Sequence, residues 1–162
     1  MKKRSGMKKR SGMKKRSGMK KRSGMKKRSG MKKRSGMKPT RLFIIDDHDD
    51  VREALEARLD AVSEVEVIGC TGCWKTALEQ AKRLQPEVVL LETKRADGEG
   101  LGALQCLNDA CAGTELIVLT SYSDAKERAA ARSLGAVRYL LKDIDTAQLV
   151  SEIRSVAGPV RS

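Results

Sequence analysis

Polar residues whose chemistry fits together close four apolar runs in this sequence. Asp46 and Asp47 follow RLFII, Glu92 follows VVLL, Thr120 closes ELIVL and Lys142 follows RYLL. Three carboxylates make a hard-oxygen pocket suited to Mg²⁺. A hydroxyl and an ammonium beside it are the donors that a phosphoryl group needs. Any one of these residues alone reads as a strand running out into a polar loop; four such ends together describe a site.

The elements that must position them alternate along the chain. Unbroken runs rich in Val, Ile and Leu read as strands covered on both faces, at 41–46, 65–70, 88–92, 115–120 and 138–142. Between them lie stripes at helical spacing. Val51, Leu55, Leu59 and Val62 form the first, and Trp74, Ala77, Leu78, Ala81 and Leu84 the second. Leu101, Leu104, Leu107 and Cys111 form the third, and Leu149, Val150, Ile153 and Val156 the fifth. The fourth, from Ala125 to Leu134, is alanine-rich with little bulk, so a lightly packed helix is expected there. Five βα units predict an α/β fold, a doubly wound five-stranded parallel sheet with helices on both faces. Ligands of such sheets bind beyond the carboxyl ends of the strands, where the polar residues stand.

With FIIDDH at 43–48, VVLLE at 88–92, Gly100, VLTSYSD at 118–124 and GAVRYLLKD at 135–143, the sequence resembles the receiver domains of two-component response regulators, most closely the NarL/FixJ subfamily. The resemblance covers nearly all of residues 40–157 and implies the (βα)5, flavodoxin-like receiver fold. It places the Mg²⁺-binding acids on Asp46 and Asp47, with the backbone carbonyl of Lys94 as a further donor. The phosphoryl-sensing hydroxyl falls on Thr120, the paired lysine on Lys142 and the switching aromatic on Tyr139. The phosphoacceptor aspartate falls on Glu92, and that is a departure.

Glutamate is one methylene longer, and its carboxylate projects toward Lys142 and Thr120. It carries one charge where an acyl phosphate carries nearly two, so a partial and weaker mimic of the phosphorylated state is expected. The loop departs as well. The Lys94 ammonium either enters the acidic pocket and weakens Mg²⁺ binding, or points with Arg95 to solvent. Ala96 stands where the family often has proline. Asp97 lies in a glycine-flanked loop and reads as a turn or cap residue, though it is a second candidate acceptor.

These features predict an atypical, stand-alone receiver, not an enzyme, that works by binding a protein partner through the fourth helix, fifth strand and fifth helix. A sensor kinase is implied by the resemblance, and the helix-turn-helix output usual in the subfamily is not expected in this chain. One alternative is a conventional phosphorylation-dependent regulator lacking its output domain. Another is a polyanion-binding protein acting through its basic segment; the oligomeric state is left open.

That segment is residues 1–36, MKKRSG written six times, and it carries 18 of the 34 Lys and Arg with no acid. Its composition predicts disorder and incidental binding of nucleic acid or anionic lipid. The body, 37–162, keeps 16 bases against 21 acids, so the formal +13 of the whole chain is a property of the repeat. With no apolar run near 18 residues and no signal-peptide core, a cytoplasmic protein is expected.

The four cysteines do not read as a disulfide framework. Cys70 and Cys73 form a CTGC where the second strand meets its helix, which suggests a thiol-redox motif, yet small half-buried hydrophobes are the simpler reading. A zinc site with Cys106 and Cys111 is disfavoured, because five positions along a helix separate side chains by about 140°. His48 reads as a loop residue beside the acid pair, and Trp74 as the anchor of the second helix in the core.

Overall fold

A computed structural model describes residues 36–158. The six repeats up to Ser35, and with them the expected disorder, lie outside the described residues.

Ten elements alternate strictly. They are β1 (Thr40–Ile45), α1 (Asp49–Asp60), β2 (Val65–Thr71), α2 (Trp74–Leu84), β3 (Val88–Leu91), α3 (Gly100–Ala110), β4 (Glu115–Thr120), α4 (Ala125–Ser133), β5 (Ala136–Leu141) and α5 (Thr146–Ala157). The strands form one parallel sheet in the order β2-β1-β3-β4-β5. The doubly wound expectation therefore holds, with strand ends displaced by one or two residues.

Strand periodicity sorts the core into two layers. Phe43, Ile45, Val89, Leu91, Leu116 and Val118 pack with Ala77, Ala81, Leu104 and Leu107, on the face covered by α2, α3 and α4. Their alternates Leu42, Ile44, Val88, Leu90, Ile117 and Leu119 pack with Leu55, Leu59, Leu149, Val150 and Ile153 of α1 and α5. Burial on both faces is why these strands are apolar without a break.

Chain order reverses between β1 and β3, the switch point beyond whose carboxyl strand ends sheets of this kind bind their ligands. Gly100 seats the loop beyond β3: a Cβ there would run into the Thr93 backbone, so the start of α3 can lie against that loop only as glycine. α4 buries Ala131 alone, as its alanine-rich sequence implies.

Trp74 departs from its expected role. It is half-buried, lies outside both core layers, and its Nε1 donates to Glu99 Oε1 at 2.8 Å. The buried face of α2 is made of Ala77 and Ala81, which lets the helix lie close to the sheet and leaves the indole at its rim.

Candidate functional site

The carboxyl ends of β1, β3, β4 and β5 converge as their sequence positions require. Asp46 follows β1 and is almost fully buried. Glu92 follows β3; its N–H donates to Ile45 O at 3.0 Å, extending the ladder by one bond and fixing the residue beside Asp46. The Lys142 N–H donates to Thr120 O at 2.8 Å and does the same for β5.

Lys142 closes this constellation. Its Nζ lies 2.6 Å from Asp46 Oδ2 and 2.9 Å from Glu92 Oε2, with side chains 14% exposed for the lysine and 3% for each acid. Burial alone would lower the lysine pKa, but the two carboxylates outweigh it and hold the ammonium above its ordinary range. The second Glu92 oxygen, Oε1, accepts the Lys94 N–H at 2.7 Å, so both oxygens are engaged. Thr120 is fully buried, and its Oγ1 has no hydrogen-bond partner among the described residues.

Asp47 faces the outer side of the pocket. Its Oδ2 accepts the Ala96 N–H at 2.9 Å, while Oδ1 is buried without a hydrogen bond. The His48 N–H donates to Asp46 Oδ1 at 2.9 Å, and Arg52 Nη1 donates to Asp46 O at 2.6 Å, which pins the loop into α1. Asp46, Asp47 and His48 present one donor atom each within 4.8 Å of one another. An orphaned carboxylate oxygen inside such a set fits a divalent cation.

Lys94 takes neither expected course. Its Nζ is 3.1 Å from Glu127 Oε1 and 3.6 Å from Asp124 Oδ2, both of α4 and its cap, and the Glu127 contact raises its pKa. The pocket already holds the Lys142 ammonium, so the second cation is drawn to the acids outside it. Glu127 Oε1 also accepts the Tyr139 O–H at 2.6 Å, and the Arg128 guanidinium lies 5.1 Å from the Tyr139 ring centre. Burial, followed by the Glu127 and Asp124 charges, pushes the Tyr139 phenol well above its ordinary range.

Arg95 is likewise not at the surface. It is buried, donates from Nη2 to Gly72 O at 2.8 Å, and pairs with Asp97 at 3.1 Å. Asp97 also accepts the Glu99 N–H at 2.9 Å, the turn role expected of it.

Sequence reading missed Glu127, Arg52 and the burial of Arg95. The spacing Asp124-x-x-Glu127 carries a capping-box signal, but the cap is made by Asp124, which accepts from the Lys126 and Glu127 N–H groups. The Glu127 carboxylate serves Lys94 and Tyr139, contacts that no local pattern announces.

The cysteines stay apart from this chemistry. All four are free; burial and Glu56 push Cys70 up to about 11, whereas Cys73, exposed at the head of α2, is lowered by Thr76. Among the described residues no four-cysteine metal cluster forms. No helix among them is long and apolar enough to cross a membrane.

The sequence profile of the response regulator receiver domain matches residues 42–154. The transcriptional regulatory protein LiaR of Bacillus subtilis is 32% identical over 117 residues, which cover 72% of this chain and 56% of that protein. The transcriptional regulatory protein MctR of Rhizobium johnstonii is 30% identical over 118 residues, 73% of this chain and 55% of that one. The chain thus spans about half the length of the curated relatives it matches. The signal receiver domain of NarL from Mycobacterium tuberculosis superposes with a TM-score of 0.70 at 24% identity, over 76% of this chain and all of that one.

Proposed function

The chain belongs to the response regulator receiver domains of two-component systems, and from that premise we propose that it is an atypical receiver, not switched by conventional aspartyl phosphorylation, that signals by binding a protein partner. Residues 37–162 are the receiver unit in this reading, and 1–36 an appended basic segment that binds polyanions incidentally. In the same reading the protein acts in the cytoplasm.

One observation carries the proposal: the Lys142 ammonium sits between Asp46 and Glu92, and both Glu92 oxygens are engaged. A carboxylate so held is a poor nucleophile toward a phosphoryl donor, because attack requires it to leave an ammonium in a largely buried site. Glu92 instead supplies a standing negative charge beside Lys142. Inverting a switch from 1:99 to 99:1 takes roughly 5.5 kcal/mol of differential interaction, more than one carboxylate–lysine contact provides. Glu92 therefore shifts the population of signalling states without fixing one.

Asp46, Asp47 and the Lys94 carbonyl are the groups that would hold Mg²⁺, which when bound supplies charge neutralisation to a phosphoryl donor. Lys142 competes for Asp46 and weakens that binding. Output runs through α4, β5 and α5, where Tyr139 stands hydrogen-bonded to Glu127.

Intact mass measured on the chain with Mg²⁺ and acetyl phosphate, beside the Glu92→Asp variant, tests the reading. A phosphoryl adduct on the variant alone is expected. An adduct on the wild type at Glu92 or Asp97 would make this a conventional phosphorelay member.

A further inference from the structure

Lys94 touches both the pocket and the output face. Its N–H donates to Glu92 Oε1 at 2.7 Å, and its Nζ lies 3.1 Å from Glu127 Oε1 and 3.6 Å from Asp124 Oδ2. The same Glu127 oxygen accepts the Tyr139 O–H at 2.6 Å. One residue thus joins the carboxylate that follows β3 to the phenol carried by β5. We infer that Lys94 is a positioning residue that couples the engagement of Glu92 to the placement of the Tyr139 hydroxyl through Glu127, and so adjusts the face that a partner meets.

The backbone end of this strut reads the pocket. Glu92 divides its two oxygens between two donors, Oε2 for the Lys142 ammonium and Oε1 for the Lys94 N–H. When only one oxygen can accept, the charged ammonium keeps it and the neutral N–H loses its partner. The bond that gives way is therefore the one that sets the loop at Lys94.

The side-chain end governs a group with two positions. The Tyr139 O–H has a second acceptor in Tyr122 O, 3.5 Å away against 2.6 Å to Glu127 Oε1. The short bond to a charged oxygen prevails while Glu127 stays in place. The Glu127 side chain is 12% exposed, and among the described residues its ion pair is with Lys94. Deprived of that cation, a largely covered carboxylate gains by turning to water, and the phenol is released. Coupling rests on such a bistable group rather than on adjacency alone. Thr120 Oγ1, buried in the same pocket, makes no hydrogen bond among the described residues, so the side-chain hydrogen bonds that run from pocket to phenol go by way of Lys94. The inference rests on the proposed reading of Glu92 as a held charge and of the Tyr139 face as the output.

NMR of the full chain, isotope-labelled at the tyrosine ring carbon that bears oxygen, tests it without any phosphodonor. The chain has 2 tyrosines, and Tyr122, 67% exposed, is the internal reference for a phenol in water. Lys94→Met should move the Tyr139 signal toward that of Tyr122 by about half their separation. Lys94→Arg, which keeps the charge, should hold the signal near its original place. Glu92→Gln keeps the shape of the pocket but offers one oxygen to two donors, and should move the signal in the same direction as Lys94→Met. Placed on Lys94→Met, it should add less than about a quarter of the shift it causes alone. A Tyr139 signal unmoved by Lys94→Met, a Lys94→Arg chain that behaves like Lys94→Met, or a Glu92→Gln shift of equal size in both backgrounds would each overturn the inference. A wild type that accepts a phosphoryl group on Glu92 yet shows this coupling would defeat the proposed function and leave the role of Lys94 standing.

Discussion

Lys142 and Lys94 each hold two carboxylates, the first at the end of β5 and the second in the loop after β3. Lys142 lies at the carboxyl strand ends with Asp46 and Glu92, its partners 3% exposed. Lys94 is 29% exposed, and its partners Glu127 and Asp124 are 12% and 46% exposed. The groups are the same, but water stabilises the second cluster when it breaks and scarcely reaches the acids of the first. A buried cluster that loses its cation is left with two desolvated charges, whereas the outer one merely resolvates. The inner cluster therefore fixes the pocket. The outer one is adjustable, and it is the one attached to Tyr139 through Glu127.

The strongest test of that contrast is Lys142→Met, which should lower the unfolding free energy by about 3 kcal/mol in denaturant titrations. Its pH dependence sharpens the point. The folded-state pKa of Lys142 lies above the ordinary 10.5, so its contribution is complete below 10.5 and is lost as pH rises through the folded value. The gap between wild type and variant should stay constant from neutrality to about that pH and then close. A gap that closes by mid-alkaline pH would place Lys142 in water and dissolve the comparison.

Glu92→Gln keeps the shape and removes one charge, and a loss of about 1.5 kcal/mol is expected in the same assay. Glu127→Gln should cost only about 0.5 kcal/mol, and less still at high salt. Its signature lies elsewhere: the Tyr139 phenol should titrate at lower pH, read by tyrosinate absorbance against the exposed Tyr122. A large stability loss in this last variant would make the two clusters equivalent.

Most of the fold was legible because burial on two faces writes itself into β1, β3 and β4 as unbroken apolar runs. The residues at their ends followed, since a strand fixes where its last side chain stands. What escaped was the partner choice of long side chains. Lys94 and Arg95 were assigned to the pocket or to solvent on proximity in sequence, yet one reaches α4 and the other tucks beneath Gly72. Those contacts span 33 and 23 positions along the chain, where no periodicity operates. Trp74 was misplaced for a related reason: size suggested a core anchor, but Ala77 and Ala81 already bring α2 against the sheet.

The sparse packing of α4 has a consequence for how such a surface changes over generations. With Ala131 as its one buried residue and Glu127 and Ala130 partly covered, the helix AKERAAARS leaves its other six residues exposed. Substitutions at those exposed positions change the outer surface while scarcely touching the energy of the sheet beneath. The surface of α4 can thus be rewritten with little cost to the strands that hold the pocket.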